Sequence, residues 1–279
     1  MPSPPRRDPT ASAPLDAPAI RELLGTEAYF GGTLDRGAAH LHPLAYALGL
    51  ARAAAAAGVR FFETSRVTAI AADARPEVKT AAGSVRARFV VLATNGYVGD
   101  LAPAVAARVM PINNFIVATA PLDPVPLAED VAVADSRFVV DYYRLSADRR
   151  LLFGGGESYG WRFPDDIRAL VRPRLRAIYP GLGDIALDYA WGGTLAITAN
   201  RMPAFQRLAP TVWSAAGYSG QGVALATLAG KLIAEAVGGT AGRFDVFARI
   251  PPPRFPGGAA LRWPLLVLAM SWYALRDRL

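Results

Sequence analysis

The sequence predicts a mixed fold, part α/β and part α+β, with an antiparallel sheet inserted into an incomplete strand-loop-helix domain. Three observations predict it. Phe89-Val90-Val91-Leu92-Ala93 is a continuous apolar run, as expected of a strand buried on both faces, and it exits into polar Thr94-Asn95-Gly96-Tyr97. Residues 211–216, 217–222 and 223–237 read as strand, Gly-rich turn and helix. Between these two units the pattern shifts to strand-like segments at 111–120, 137–145, 151–154 and 185–197.

Residues 1–18 are Pro-rich without an apolar stretch and read as a disordered leader, not a signal peptide. A short helix over 18–24 ends at Gly25, and Tyr29–Leu34 is strand-like around Gly31-Gly32. His40-Leu41-His42-Pro43 opens a helix over 44–57 with Gly58 just past its end. Strands are expected at 59–62 and 67–70, and 77–81 with 85–88 form a hairpin through Ala82-Gly83-Ser84. An amphipathic helix spans 165–178, before Tyr179-Pro180-Gly181, and Gly238-Gly239 ends the helix at 223–237. These elements suggest domains at 19–107, 108–204 and 205–248, with a C-terminal tail at 249–279.

Composition removes several classes of function. The hydrophobic fraction of 52% supports a large core, and the absence of Cys excludes disulfides, Cys-ligated zinc and iron–sulfur clusters. The net charge is +7, but only Lys79 and Lys231 are lysines, and the arginines are scattered rather than lined along one helix face. Nucleic-acid binding wants a basic stripe with interleaved aromatics, so no nucleic-acid partner is expected. The longest apolar stretch, 263–275, is too short to span a bilayer, which needs about 20 residues. It is expected to be a docked terminal helix, with peripheral membrane contact as the alternative. A cytoplasmic location is expected.

Two motifs carry chemistry. Three glycines in Gly217-Tyr218-Ser219-Gly220-Gln221-Gly222 let the backbone approach a ligand, and the helix behind aims free N–H groups and its positive dipole end at it. A tight turn before a packed helix reads equally well. The exit Ala93-Thr94-Asn95-Gly96 lies where α/β sheets bind ligands, or is an ordinary strand end. His40-x-His42 lacks a third His or Cys for a metal; both are expected to cap or contact the following helix and to border a substrate site. Tyr142, Tyr143 and Arg144 suit a carboxylate-bearing amine, Arg144 by a bidentate contact, with cross-strand packing as the alternative. Trp191 is either core or a ligand neighbour, and Lys231 is expected to face solvent.

The order of these motifs resembles a known family. The His-Pro helix start, Val67-Thr68-Ala69-Ile70, the meander with Thr80 and Gly83, and Ala93–Tyr97 come first. Next come Leu151-Leu152-Phe153-Gly154-Gly155, Tyr179-Pro180, Trp191-Gly192-Gly193 and Gly217–Val223. From about residue 20 onward this resembles the D-amino-acid-oxidase-like FAD-dependent oxidoreductases, most of all the gamma-glutamylputrescine oxidase branch. The resemblance implies an incomplete FAD-binding (Rossmann-like) domain with an inserted antiparallel substrate domain. It implies that Val67 offers backbone groups to the adenine and that Ala93, Thr94, Asn95 and Gly96 touch the nucleotide side. It places Gly217, Tyr218, Ser219, Gly220, Gln221, Gly222 and Val223 near the flavin pyrimidine carbonyl. The implied substrate is a small amine or amino acid, with His40, Tyr143, Arg144 and Trp191 on its side. A hydride would leave the carbon beside the amine for the flavin and water would hydrolyse the imine, so no catalytic dyad and no metal is required.

The chain departs from the family pattern twice. Gln221 stands where many relatives have His; it can hydrogen-bond but cannot titrate. No G-x-G-x-x-G occurs; Gly154-Gly155-Gly156-Glu157-Ser158-Tyr159 comes nearest and its last position is wrong. The expectation is therefore a truncated amine oxidase that binds FAD weakly or not at all by itself. The alternatives are a non-enzymatic remnant or interaction protein retaining the substrate domain, and an oxidase completed by a second chain.

Overall fold

The computed structural model describes residues 12–137, 139–158 and 162–256, and positions 261, 264, 267 and 268. Strand β1 (Ser12–Asp16) pairs antiparallel with β2 (Gly31–Asp35) around helix α1 (Ala17–Leu24). Residues 12–16 are thus not leader. Asp16 caps α1, its Oδ1 accepting from Ala19 N at 3.0 Å, and Gly25 closes the helix in the left-handed region at φ 65°.

Helix α2 (Pro43–Ala56) is capped by His42, whose Nδ1 accepts from Ala45 N at 3.3 Å. None of its residues is buried. The strand expected at 59–62 does not form: Val59, Phe61 and Phe62 are exposed, with Arg60 over the Phe62 ring. Apolar character alone does not make a strand without a neighbour to bond. Strands β3 (Val67–Ala71), β4 (Glu77–Thr80) and β5 (Ser84–Arg86) form the expected antiparallel meander. Its tight turn closes through Gly83 O, which accepts from both Thr80 N and Thr80 Oγ1.

The remaining elements are β6 (Val90–Leu92), α3 (Pro103–Ala106), β7 (Met110–Thr119), β8 (Val133–Ala134), β9 (Tyr142–Leu145), β10 (Leu151–Ser158), α4 (Ile167–Ile178), β11 (Leu187–Ile197), β12 (Ala204–Ala209), β13 (Val212–Ala216), α5 (Gly222–Val237) and α6 (Gly242–Ala248). The expected terminal helix at 263–275 lies largely outside the described residues. Among the described residues no helix is long and apolar enough to cross a membrane.

The chain divides into two compact units. Of the described residues, one takes those up to Gly49, then Asn114–Ser158 and Arg162–Gly192; the other takes Leu50–Asn113 and those from Gly193 on. The segment before Gly49, expected with the cofactor domain, therefore groups with the antiparallel sheet.

The first unit is built on a five-stranded sheet of order β11-β7-β10-β9-β8, in which β9 is antiparallel to both β10 and β8. Its core gathers Phe115, Val117, Leu151 and Phe153 with Val171, Leu175 and Ile178 of α4. Each such side chain contributes roughly 1.5–3 kcal/mol on burial. The strand expected at 137–145 shrinks to β9; before it one backbone bond, Asp135 N to Asp141 O at 3.0 Å, is joined by side chains. Arg137 Nη1 bridges Asp135 Oδ2 at 2.5 Å and Asp141 Oδ2 at 3.0 Å, and Asp135 Oδ1 accepts from the backbone N of Arg137 and of Asp141. Arg174 Nε on α4 reaches Asp141 Oδ1 at 2.5 Å. Burial pushes the Asp141 carboxyl above the usual carboxylate range, with the Arg174 contact pulling the other way.

Four arginines of α4 grip the same unit. Arg168 donates to Leu187 O and Asp188 O, Arg172 to Gly183 O and Ile185 O, Arg174 to Asp141 and Val139 O, and Arg176 to Asp184.

The second unit holds the β3–β5 meander and a sheet of order β12-β13-β6, with β13 antiparallel to β12 and parallel to β6. All five residues of β13 are buried, alternating between two cores. Val212 and Ala216 join Val90, Leu92, Val98, Val105 and Val109; Trp213 and Ala215 join Phe205, Leu232, Ile233 and Phe244. The environment buried on both faces, expected for 89–93, belongs to β13. Strand β6 is at the edge of the described sheet, and Val91 is 44% exposed.

Burial also raises the phenols of Tyr29, Tyr143, Tyr179 and Tyr218, the last to about 12. A phenol raised in the folded state adds stability that is complete below its unfolded value near 10 and lost as pH rises through the folded value. Spectrophotometric titration is expected to show three of the ten tyrosines, Tyr143, Tyr179 and Tyr218, still protonated near pH 11, and Tyr29 ionising above its ordinary value. A single transition of all ten near 10 in the folded protein would contradict these burials.

Candidate functional site

The parallel pairing of β6 with β13 sets Val90 opposite Val212 and Leu92 opposite Ser214, so the two strands end side by side. Beyond β6 the chain turns through Ala93-Thr94 into a single 3-10 turn, Asn95–Tyr97. Beyond β13 it turns through Gly217–Gln221 into the 16-residue α5. Both turns use left-handed backbone: Asn95 has φ 45°, Gly217 74°, Ser219 51° and Gly220 95°. Asn95 Oδ1 accepts from Gly217 N at 3.0 Å, tying one turn to the other.

The surroundings fix these turns. A Cβ on Gly217 would run into Thr198 Cγ2 and come within 3.2 Å of Val109 Cγ1. A Cβ on Gly96 would lie 2.7 Å from Leu195 O and 2.8 Å from Thr194 O, because β11 passes directly over it. Tyr97 Oη accepts from Thr194 N at 3.0 Å. Ser219 N donates to Ala196 O at 3.0 Å, and Ser219 Oγ accepts from Thr198 N at 3.2 Å. Tyr218 is buried, its hydroxyl donating to Ala215 O at 3.1 Å.

These features suit a bound anionic or electron-rich group. Gln221 occupies the N-cap position of α5 but makes no capping bond with its side chain, and the first bond into the helix is Leu225 N to Gln221 O. The N–H groups of Gly222, Val223 and Ala224, at the positive dipole end, thus precede the first bond into the helix. A Cβ on Gly220 would have nothing within 4 Å, and Gln221 and Val223 are exposed. Thr94 Oγ1 is buried without a hydrogen-bond partner. An uncapped helix start, a glycine with room above it and an orphaned hydroxyl fit a ligand with carbonyl or phosphate oxygens. Val67 begins β3 in the same unit, opposite Thr80, next to an irregularity in the ladder.

The expected substrate-side residues lie in the first unit and differ in character. Tyr143 is core: it is 3% exposed, stacks on Phe153 at 5.6 Å and meets Tyr179 edge-on, so it offers no surface to a ligand. Strand alternation explains this, since Tyr142 and Arg144 take the opposite face of β9. The Tyr142 hydroxyl donates to Asn114 Oδ1, and Arg144 is half-buried with Nη1 on Leu145 O. His40 Nε2 lies 3.4 Å from Asp130 Oδ1. Trp191 is 43% exposed on the edge strand β11, not core. No group of three metal-capable side chains occurs among the described residues. The reading of single motifs missed Thr198, which fixes the glycine loop from just past the end of β11; its signal is spatial and not present in local sequence.

Comparison with known proteins agrees with this geometry. Residues 6–236 match the family of FAD dependent oxidoreductases. The chain is 43% identical over 275 residues to gamma-glutamylputrescine oxidoreductase of Escherichia coli, covering 95% of this chain and 63% of that protein. It is 44% identical over 267 residues to the probable oxidoreductase OrdL of Rhizobium meliloti, covering 95% and 62%. The chain thus spans slightly less than two thirds of the length of the curated relatives it matches. In fold it is similar to glycine oxidase from Geobacillus kaustophilus, with a TM-score of 0.74 at 22% identity over 88% of this chain and 68% of that one. L-Proline dehydrogenase from P. horikoshii gives 0.68 at 20% identity over 81% and 64%. A match across most of the chain, and identity above 40% to two relatives along nearly its whole length, establish that this chain belongs to the family of FAD-dependent oxidoreductases.

Proposed function

We propose that this chain forms part of an FAD-dependent oxidoreductase that oxidises a small amine or amino acid, with glutamylated polyamines as the leading substrate class. The observation that carries the reading is the pair of adjoining strand exits, 93–97 and 217–222, with an uncapped helix behind the second. The substrate class rests on likeness to gamma-glutamylputrescine oxidoreductase.

FAD, when bound, supplies the two-electron acceptor. The backbone from Gly217 to Val223 would lie against its electron-rich ring carbonyl, and the positive end of α5 would stabilise the negative charge of the reduced form. Ala93, Thr94, Asn95 and Gly96 would border the nucleotide portion, with Val67 offering backbone groups to the adenine. Arg144, His40 and Trp191 are the substrate-side residues in this reading; Arg144 would pair with a carboxylate. No side chain is assigned as general acid or base.

Titration of the purified chain with FAD, followed by flavin fluorescence, tests this. Saturable binding is expected, but weaker than about 1 μM, because the sequence has no G-x-G-x-x-G to cradle the pyrophosphate. Anaerobic addition of gamma-glutamylputrescine should then bleach the flavin. A chain that neither takes up FAD at high micromolar concentration nor quenches its fluorescence would sink the cofactor assignment.

A further inference from the structure

We infer that Asn95 is a positioning residue for the flavin: from the exit of β6 it sets the conformation of the glycine loop after β13. This rests on the proposed cofactor role of that loop, and it assigns Asn95 a role through Gly217 rather than through the cofactor.

Gly217 is buried, and a buried backbone N–H must be satisfied. The neighbouring strand cannot do so with its ladder, because the registered β6–β13 pairs end at Leu92–Ser214. The side chain of Asn95 supplies the acceptor at 3.0 Å, from a residue 122 positions earlier in the chain. To reach it, Asn95 adopts φ 45°, a left-handed conformation that Asn tolerates better than most residues.

Position 217 sets the course of the loop. With φ 74° it turns the chain out of β13, and two further left-handed residues, Ser219 and Gly220, carry it to α5. Such a path persists only when its surroundings over-determine it. Three anchors do so: Asn95 on Gly217 N, Ala196 O on Ser219 N, and the contact of Ser219 Oγ with Thr198 N. Asn95 is the first of these along the loop, so its loss frees the loop where the chain leaves the sheet. Thr198 is itself held, its hydroxyl donating to Met202 O at 2.7 Å. The N–H groups at the start of α5 can favour a reduced flavin only if the loop holds them in place before the ligand arrives.

The choice of amide over carboxylate is also explained. Aspartate would accept the same bond, but it would bring a fixed negative charge to the turn beside the loop meant to stabilise negative charge.

Asn95→Gly and Asn95→Asp, compared with the unaltered full chain, separate these effects. Glycine keeps the left-handed backbone and deletes only the acceptor. In Asn95→Gly, amide hydrogen exchange across 217–221 should quicken about tenfold, as expected for one lost hydrogen bond, while β13 and α5 beyond its first turn stay protected. FAD affinity should fall about tenfold in step. Asn95→Asp should keep the slow exchange but bind reduced FAD less well than oxidised, lowering the flavin potential; a merely structural residue would not move that potential. Unchanged exchange in Asn95→Gly, or faster exchange with FAD affinity unaltered, would overturn the proposal. If the unaltered chain takes up no FAD, the cofactor reading fails and takes the flavin half of this proposal with it. The exchange comparison still decides whether Asn95 orders the loop.

Discussion

Gly217→Ala is expected to lower stability by about 3 kcal/mol and to abolish FAD uptake. The left-handed backbone costs an L residue about 1–2 kcal/mol at once. The added Cβ then meets Thr198 Cγ2, and the Thr198 side chain cannot swing aside without its Oγ1 losing Met202 O and Ser219 Oγ. Overpacking of this kind adds a further 1–3 kcal/mol. For a chain of this size the melting midpoint should drop by about 6–12 °C. Gly220→Ala is the control: its φ is also left-handed, at 95°, but nothing lies within 4 Å of the new Cβ. That variant should lose about 1 kcal/mol only. Thermal unfolding of the pair decides the matter, and equal midpoints would show that Thr198 does not confine Gly217.

Asp141→Ala carries the second large expectation, a loss of about 3 kcal/mol measured by urea unfolding. Asp141 is 3% exposed and holds Arg174 and Arg137 together. Truncating it leaves two guanidinium groups near a buried site, though both reach partial solvent, which keeps the loss at the low end for a broken buried pair. Gly155 provides the setting: a Cβ there would sit 2.5 Å from Asp141 Oδ1, so the carboxylate rests directly on the strand. Burial decides the sign of the pH effect. The folded carboxyl holds its proton more tightly than the unfolded one, so its contribution is largest below the ordinary carboxylate value and declines as pH rises through the shifted one. Asp141→Asn, which keeps an acceptor and the shape, should therefore lose less than Asp141→Ala, and the loss of either should be largest near pH 4 and shrink as pH rises through the shifted value. Equal losses for Asn and Ala at every pH would show that the charge and acceptor are idle.

Local pattern revealed the elements that satisfy their needs locally. The meander at 67–86, the helix from Ile167 and the strand-loop-helix from Val212 stand close to where turn residues, caps and periodicity put them. The two strand exits were legible as left-handed turns because glycine and asparagine mark that backbone. What sequence hid was the identity of neighbours. Phe89–Ala93 and 59–62 both read as strands, yet the first pairs with β13 and the second bonds to no strand among the described residues. Tyr143 and Arg144 are adjacent in sequence and point to opposite faces, so a shared role could not be read without the register of β9 on β10. The loop between β8 and β9 owes its form to Asp135, Arg137 and Asp141, a network with no periodic signature. Thr198 and Asn95 act across long separations, and only the fold brings them to Gly217 and Ser219.

The arginines of α4 bear on how such a chain is to be compared with others. Arg168 forks onto two carbonyl oxygens through Nε and Nη2, whereas Arg172 bridges two through Nη1 alone. Lysine in place of Arg168 would preserve electrophoretic mobility and isoelectric behaviour, yet a single ammonium does not reproduce a planar fork. Two homologues with identical charge could thus differ in how firmly this helix is fastened, and counting basic residues would not distinguish them.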